Sequence, residues 1–451
     1  MDYTTHSKET IEELLKITGR KSIDELFSSV PENIKGQHPA FDKEGATEQE
    51  LLAYFSSLSF KNNVCNSLFI GAGAYNHYCP SAVNHLISRA EFQTAYTPYQ
   101  AEVSQGTLQT IFEFQSLMAD LTGMDISNAS LYDGASSAAE AILMAYRLAR
   151  GKKTEFLISR LMHPEYIETI KTYTHHLGLK MSFMDCDESG CIAEEALKGV
   201  NWDHVFAVVY SSPNFYGIIE DHQKIASYVK DKTNTYSICI INEITSLGIL
   251  EPPGSFGIDI TAGEAQALGL PLSYGGPYLG FLTTRLEYVR DLPGRLVGAT
   301  TDADGNRGFV LTLATREQHI RRENATSNIC TNQALCALSA LIYMAMLGNN
   351  GLYDVSHQSR HKAGYLKKLI SGIPGVKIPY KGATYNEFVY SIEKIDAADV
   401  IKAMEKKFIY AGIPLSKFFK NEKNMILVAV TENNTAQEIE RYAECLKEVL
   451  Q

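Results

Sequence analysis

Apolar and polar positions change period along the chain, and the changes mark out elements. Between Glu155 and Asn242 two kinds of segment alternate. EFLIS, HVFAVVYSS and TYSICIIN are continuous apolar runs with no polar face, the pattern of strands buried on both sides. HPEYIETIKTYTHHLG and DHQKIASYVKDK between them carry helical spacing, the first with Pro164 in its first turn. Strands separated by helices of about 10–15 residues imply right-handed βαβ units and a mostly parallel sheet.

Upstream, residues 103–123 place Leu108, Ile111, Phe112, Phe114, Leu117, Met118 and Leu121 on one broad helical stripe, with Gly123 as its stop. ATEQELLAYFSSLS (46–59) begins with Thr47 three residues before Glu50, a capping box. Residues 7–30 read as two short helices with polar faces. After Arg285 a long helical region is expected through TREQHIRRENATSNICTNQALCALSALIYMAMLG. Beyond NNGLYD the character changes: VKIPY, EFVYSI and MILVAV read as strands, DAADVIKAMEKKF and AQEIERYAECLKEVL as helices. The expected organisation is an N-terminal helical extension (1–60), a large α/β domain (61–345) and a smaller C-terminal α+β domain (346–451).

Composition narrows the function classes. The 451 residues carry a net charge of −11, which disfavours nucleic acid and anionic membranes as partners. No uninterrupted apolar run approaches the roughly 20 residues of a membrane span. The acidic, helix-patterned N-terminus is neither a secretory signal nor a transit peptide, so a cytoplasmic protein is expected. Eight cysteines without a C-x-x-C pair read as reduced thiols, and twelve histidines show no metal-ligand spacing, so no metal site is expected.

Five segments are candidates for chemistry. FIGAGAYN (69–76) lacks the third glycine of a dinucleotide fingerprint, where Asn76 stands. It is a tight loop, or a cleft lining with Tyr75, Asn76 and His77 at its tip. EFQTAYTPYQAEVSQGT (91–107) holds Tyr96 and Tyr99 on backbone restrained by Pro98, followed by Glu102. It supplies phenols and a carboxylate to a site, or it is a surface strap. In LYDGASSAAEA, small residues open a helix whose N–H groups suit a phosphate, unless Asp133 or a serine simply caps it. YSSPNFYG puts Asn214 at the carboxyl end of a strand, where ligands gather in open α/β sheets. REQHIRRENATSN groups Arg316, His319, Arg321 and Arg322, an anion site or a solvated helix face.

A sixth segment, Ile238 to Arg285, has the order strand, short polar step, second strand, small-residue loop, glycine pair and third strand. It resembles the centre of pyridoxal-phosphate enzymes, in which an aspartate ends the first strand and a lysine follows the second. Here those positions read Asn242 and Gln266, and no lysine occurs from Thr233 to His361. An amide cannot form an imine, and Asn242 cannot supply the carboxylate that keeps a pyridine nitrogen protonated. Glu243 is expected on the opposite face if the strand continues.

The segments TAYTPYQAEVSQGTLQ, YDGASSAAEA, PNFYG, LPLSYGGPYLGFL, LPGRLVG and REQHIRRENATSNICTNQAL, in this order, resemble the alpha chain (subunit 1) of the split glycine dehydrogenase family, the decarboxylating P-protein of the glycine cleavage system. The resemblance spans nearly the whole chain. It implies a fold-type-I pyridoxal-phosphate transferase architecture and a beta subunit that carries the cofactor lysine, in an αβ or α2β2 assembly. It also implies glycine as substrate and the lipoyl group of H-protein as acceptor. The cofactor, pyridoxal phosphate, is then bound by the beta subunit rather than by this chain. On this reading Tyr96, Tyr99 and Glu102, with Asn76 and His77 behind them, are contributed to the partner's catalytic site. Two alternatives remain: a scaffold subunit that adds only stability, and a self-contained enzyme with a relocated lysine, for which Lys232 and Lys362 are poorly placed.

Overall fold

The computed structural model describes residues 6–36, 45–62, 67–327, 329, 332–393 and 395–451. The chain divides into two units, Met1–Val64 and Cys65–Gln451. The first is helical. Ser7 caps Lys8–Ile17, and Thr47 and Glu50 form the expected reciprocal capping box on Glu48–Ser59. Neither helix buries a residue.

In the second unit, β1 (Ser67–Leu68) leads into the loop at Gly71. Seven strands then form the central sheet: β2 (Ile126–Ser127), β3 (Glu155–Ser159), β4 (Lys180–Met184), β5 (Val205–Ser211), β6 (Tyr236–Ile241), β7 (Ile260–Glu264) and β8 (Gly280–Thr284). Their spatial order is β2-β8-β7-β6-β5-β3-β4. Strands β3 to β7 are parallel, whereas β8 runs antiparallel to both β7 and β2. The sheet is covered on both faces, as the apolar runs require. In β6, Ile238 and Ile240 pack under the helix Gly134–Leu148, and Cys239 and Ile241 pack on the other side with Phe114, Met118 and Leu341. Each such fully buried aliphatic or aromatic side chain contributes about 1.5–3 kcal/mol relative to exposure.

A hairpin follows that the helical reading of this region did not anticipate. β9 (Leu296–Thr301) and β10 (Arg307–Thr312) pair antiparallel. At the tip, Asp302 Oδ1 accepts from the N–H groups of Asp304 and Asn306. The D-A-D-G-N sequence between two alternating runs was the available signal. The arginine-rich segment is not part of the long helix either. Among its described residues it forms the short turns Gln318–Arg321 and Arg322–Asn324, and the long helix begins at Ala334.

That helix, Ala334–Ser371, breaks its backbone at Gly348 (φ 59°). By length and composition alone it could cross a membrane, but Ala337, Leu341 and Tyr343 pack on the central sheet. Its second half sends Ala363, Leu366 and Ile370 into another core. This core lies under β11 (Val376–Lys377), β12 (Glu387–Ile392), β14 (Ile413–Pro414) and β15 (Met425–Ala429), in the order β11-β12-β15-β14. The helices Ala397–Glu405 and Ala436–Leu450 back it through Val400, Met404, Ile439 and Tyr442. β13 (Ile409–Tyr410) pairs parallel with β1, and Phe69 joins this same core. The loop after β1 is thereby held between the C-terminal sheet and the carboxyl ends of the central strands.

Candidate functional site at the carboxyl ends of the central strands

β6 stops at Ile241, and the chain turns at once into a single-turn helix, Ile244–Gly248. Side-chain alternation therefore does not extend to Glu243. Glu243 is 2% exposed. One carboxylate oxygen accepts from the N–H and hydroxyl of Thr245, and the other lies 3.0 Å from His77 Nε2. Asn242 is buried as well, and its Oδ1 has no hydrogen-bond partner among the described residues.

At the end of β7, Glu264 accepts from three backbone N–H groups, those of Gly134 (2.9 Å), Gln266 (3.0 Å) and Leu279 (2.8 Å). Burial raises its pKa to about 7, against the opposing pull of those donors. The N-terminus of the helix Gly134–Leu148 is thus occupied by a carboxylate of the chain itself. Asp133 completes the cap by accepting from Ser136 N at 2.7 Å. A Cβ on Gly134 would lie 2.1 Å from Tyr166 Oη, so nothing larger than glycine fits there.

Gln266, 1% exposed, accepts from Tyr75 N–H at 2.9 Å and donates to Tyr75 C=O at 3.1 Å and Leu270 C=O at 2.7 Å. Its amide pins the loop after β1 from the large-sheet side. Glu387 on β12 pins it from the other, accepting from Tyr75 Oη (2.9 Å) and Ala72 N–H (2.7 Å). Burial raises the Glu387 pKa to about 7 despite these donors. The loop's tip enters a charged pocket. His77 Nδ1 lies 2.6 Å from Glu432 and its Nε2 3.0 Å from Glu243, with the imidazole 3% exposed. Burial alone would lower the His77 pKa, but the two carboxylates outweigh it and raise it to about 10. His77 is therefore an imidazolium between two carboxylates. Asn76 is exposed, and only its carbonyl is engaged, by Thr431 Oγ1 and Asn433 Nδ2.

The strap residues are held by different elements. Pro98 is buried, while Tyr96, Tyr99 and Glu102 are exposed. Arg295 Nη2 donates to Tyr99 Oη at 3.0 Å, and the guanidinium lies 5.3 Å from the Tyr99 ring centroid. The five predicted site residues thus fall on two supports, the loop at His77 and the strap over Arg295.

Other candidates have internal uses. Asn214 gives Nδ2 to Gly190 C=O and Glu220 and accepts from the N–H groups of Tyr216 and Ile218, so it organises its own turn. Arg316 donates to the carbonyls of Leu292, Gly294 and Leu313, bracing the turn before β9. The side chain of His319, and Asn328 and Cys330 in the same motif, lie outside the described residues. Sequence reasoning missed Glu243, Glu264, Glu387, Glu432 and Arg295. Each has a partner far away in the chain, from 130 residues for Glu264 and Gly134 to 355 for Glu432 and His77, so local spacing did not point to them.

The family of the glycine cleavage system P-protein matches residues 1–446. The chain belongs to the glycine cleavage system P-protein family. It is 42% identical over 449 residues to a probable glycine dehydrogenase (decarboxylating) subunit 1 of Carboxydothermus hydrogenoformans, covering 99% of both chains. It is similar throughout to a crystal structure of glycine decarboxylase (P-protein) of the glycine cleavage system in inhibitor-bound form, with a TM-score of 0.86, 39% identity and 100% coverage of both chains. A C-DES mutant with glycine covalently linked to its PLP cofactor has a TM-score of 0.61 at 14% identity, covering 85% of this chain and 97% of that one; it shares the fold alone.

The architecture is thus that of fold-type-I pyridoxal-phosphate enzymes, but the residues of this P-protein family chain do not fit that cofactor. At Gln266, where the resemblance leads one to expect a lysine, an amide is bound to backbone. Asn242 has no charge to offer a pyridinium. A carboxylate holds the helix N-terminus where a phosphate would need those N–H groups.

Proposed function

We propose that this chain is the alpha subunit of glycine decarboxylase, the P-protein of the glycine cleavage system. With a beta subunit that holds pyridoxal phosphate, it decarboxylates glycine and passes the aminomethyl group to the lipoyl arm of H-protein. On this reading the enzyme is cytoplasmic and the chain is inactive alone. The reading is supported by full-length similarity to proteins named as subunit 1, and above all by the Gln266 amide, which is spent on Tyr75 where a self-sufficient enzyme needs an amine. The chain's contribution is a face for the partner's site, with Tyr96, Tyr99 and Glu102 exposed on the strap and the His77 loop held rigid.

The test is co-expression with a homologous chain that carries a lysine at the position of Gln266. The pair should co-purify and decarboxylate glycine. The isolated chain should show no internal-aldimine absorption and no borohydride-trappable cofactor. Stoichiometric trapped cofactor on the isolated chain refutes the proposal. A scaffold role is the second reading, favoured by how completely the chain's own pocket is filled; substitutions on the strap separate the two.

A further inference from the structure

Arg295, between Gly294 and β9, is 5% exposed. Nη2 donates to Tyr99 Oη at 3.0 Å, Nη1 reaches Thr97 Oγ1 and Asn332 Oδ1 at 3.4 Å each, and Nε has no hydrogen-bond partner among the described residues. Every one of these partners is neutral. No carboxylate among the described residues pairs with Arg295, whereas exposed arginines of this chain such as Arg89 and Arg160 do form ion pairs. Two of the three hydrogen bonds are long for N–H···O contacts and are readily exchanged.

A buried guanidinium is ordinarily matched by a carboxylate, because desolvating the charge is otherwise uncompensated. The strap that Arg295 holds is aromatic: Tyr99, whose ring it contacts, is 54% exposed, and Tyr96, three residues before it, is 83% exposed. Exposed tyrosines beside an arginine are the composition of a protein interface rather than of a free surface.

We propose that Arg295 is an interface residue whose missing counter-charge is a carboxylate side chain of the partner subunit, seated against Tyr99. The inference rests on the proposed assembly with a beta chain. The other source of a carboxylate is glycine itself. The physics disfavours it: the substrate carboxylate loses its charge as it leaves as CO2. An ion pair with it would therefore stabilise the ground state more than the transition state and slow the reaction.

The test compares wild type, Arg295→Gln and Arg295→Lys, each titrated with the purified beta chain. Truncating one side of a buried charge pair should weaken association roughly 30-fold or more in the Gln variant. The Lys variant, which keeps charge but loses the fork, should fall between. Meanwhile the isolated Gln variant should melt no lower than wild type, since it has shed an uncompensated buried charge. A merely structural clamp on the strap predicts the reverse, a lower melting temperature with normal association, and that outcome overturns the proposal. So does a rise in glycine KM at unchanged subunit affinity, which would assign the site to substrate. If the Gln variant does not fold, wild-type affinity of the Lys variant overturns it equally. Failure of the wild-type pair to turn over glycine is a separate result. It removes the proposed function, while the affinity series still decides Arg295.

Discussion

The side-chain amide of Gln266 is hydrogen-bonded to both backbone groups of Tyr75, accepting from its N–H and donating to its C=O. Where the resemblance to pyridoxal-phosphate enzymes leads one to expect a reactive amine, this chain has a splint for a buried loop. Restoring the amine should therefore not restore the enzyme. Gln266→Lys leaves the Tyr75 N–H without an acceptor, at about 1–3 kcal/mol, and adds a buried charge. We expect a loss of about 3 kcal/mol or more in urea denaturation and no borohydride-trappable imine when pyridoxal phosphate is added. A stable variant that traps cofactor would show the pocket to be open.

The His77 imidazolium predicts a specific pH dependence. Its folded pKa, about 10, lies above the ordinary value of roughly 6.5. Its stabilisation is therefore fully present below about pH 6.5 and is lost as pH rises through 10. Glu264 and Glu387, both raised to about 7, act with the same sign in a lower window, between about 4.5 and 7. Glu432 is lowered by His77 despite its burial. Its contribution is present above about pH 4.5 and is lost as pH falls below that. Denaturation of wild type should show stability falling from pH 6.5 to 10. His77→Gln should be about 3–5 kcal/mol less stable at pH 6.5, with two buried carboxylates unmatched, and nearly flat above about pH 7. An unchanged slope in the variant would assign the dependence to other groups.

Much of the fold was legible because it follows from short-range pattern. The strands β3, β5 and β6 are apolar throughout because they are covered on both faces. The capping box at Thr47 and the left-handed Gly123 (φ 67°) are local geometry. The β9–β10 hairpin was lost because its turn lay inside a segment read for helical spacing. The site was only half legible. The absence of an amine at Gln266 and of a carboxylate at Asn242 is visible in the sequence alone. What replaces them is not, since Glu264, Glu387 and Glu432 reach the pocket from separate elements and only the fold brings them to Gly134, Tyr75 and His77. The strand's end at Ile241 also takes Glu243 out of the alternation a continuing strand would impose, and Glu243 is buried.

Gly71 tests whether the loop's seat is as tight as its contacts indicate. A Cβ there would lie 2.5 Å from Glu387 Oε1, 2.6 Å from Ala429 Cβ and 2.8 Å from Tyr75 Cε1. Ala429 Cβ is anchored to a strand backbone and cannot yield. Gly71→Ala should therefore cost about 1–3 kcal/mol, the usual penalty of overpacking. It should also reduce the fall in stability between pH 6.5 and 10, because displacing the loop loosens His77 from its carboxylates. Wild-type melting and an unaltered pH profile would mean that the two sheets move apart freely at this seam.

The strap decides whether this chain takes part in chemistry or only supports it. Tyr96, Tyr99 and Glu102 are exposed in this chain, so substituting them disturbs little of its own core. Tyr96→Phe and Tyr99→Phe remove one hydroxyl each and keep the ring. If a hydroxyl bonds a charged group in the partner's site, its loss costs about 1.5–3 kcal/mol. Where that bond is made only in the transition state, the rate of glycine decarboxylation falls roughly 10- to 150-fold. Glu102→Gln removes a group able to accept a proton or pair with the substrate ammonium. Tyr99→Phe has a second consequence, because Arg295 loses the hydrogen bond from its Nη2 to Tyr99 Oη, the shortest it makes among the described residues, so it should be the more damaging of the two tyrosine changes. The measurement is single-turnover decarboxylation by complexes whose assembly has been confirmed. Wild-type rates in all three variants, with assembly intact, would leave the strap a structural element and make the scaffold reading the correct one.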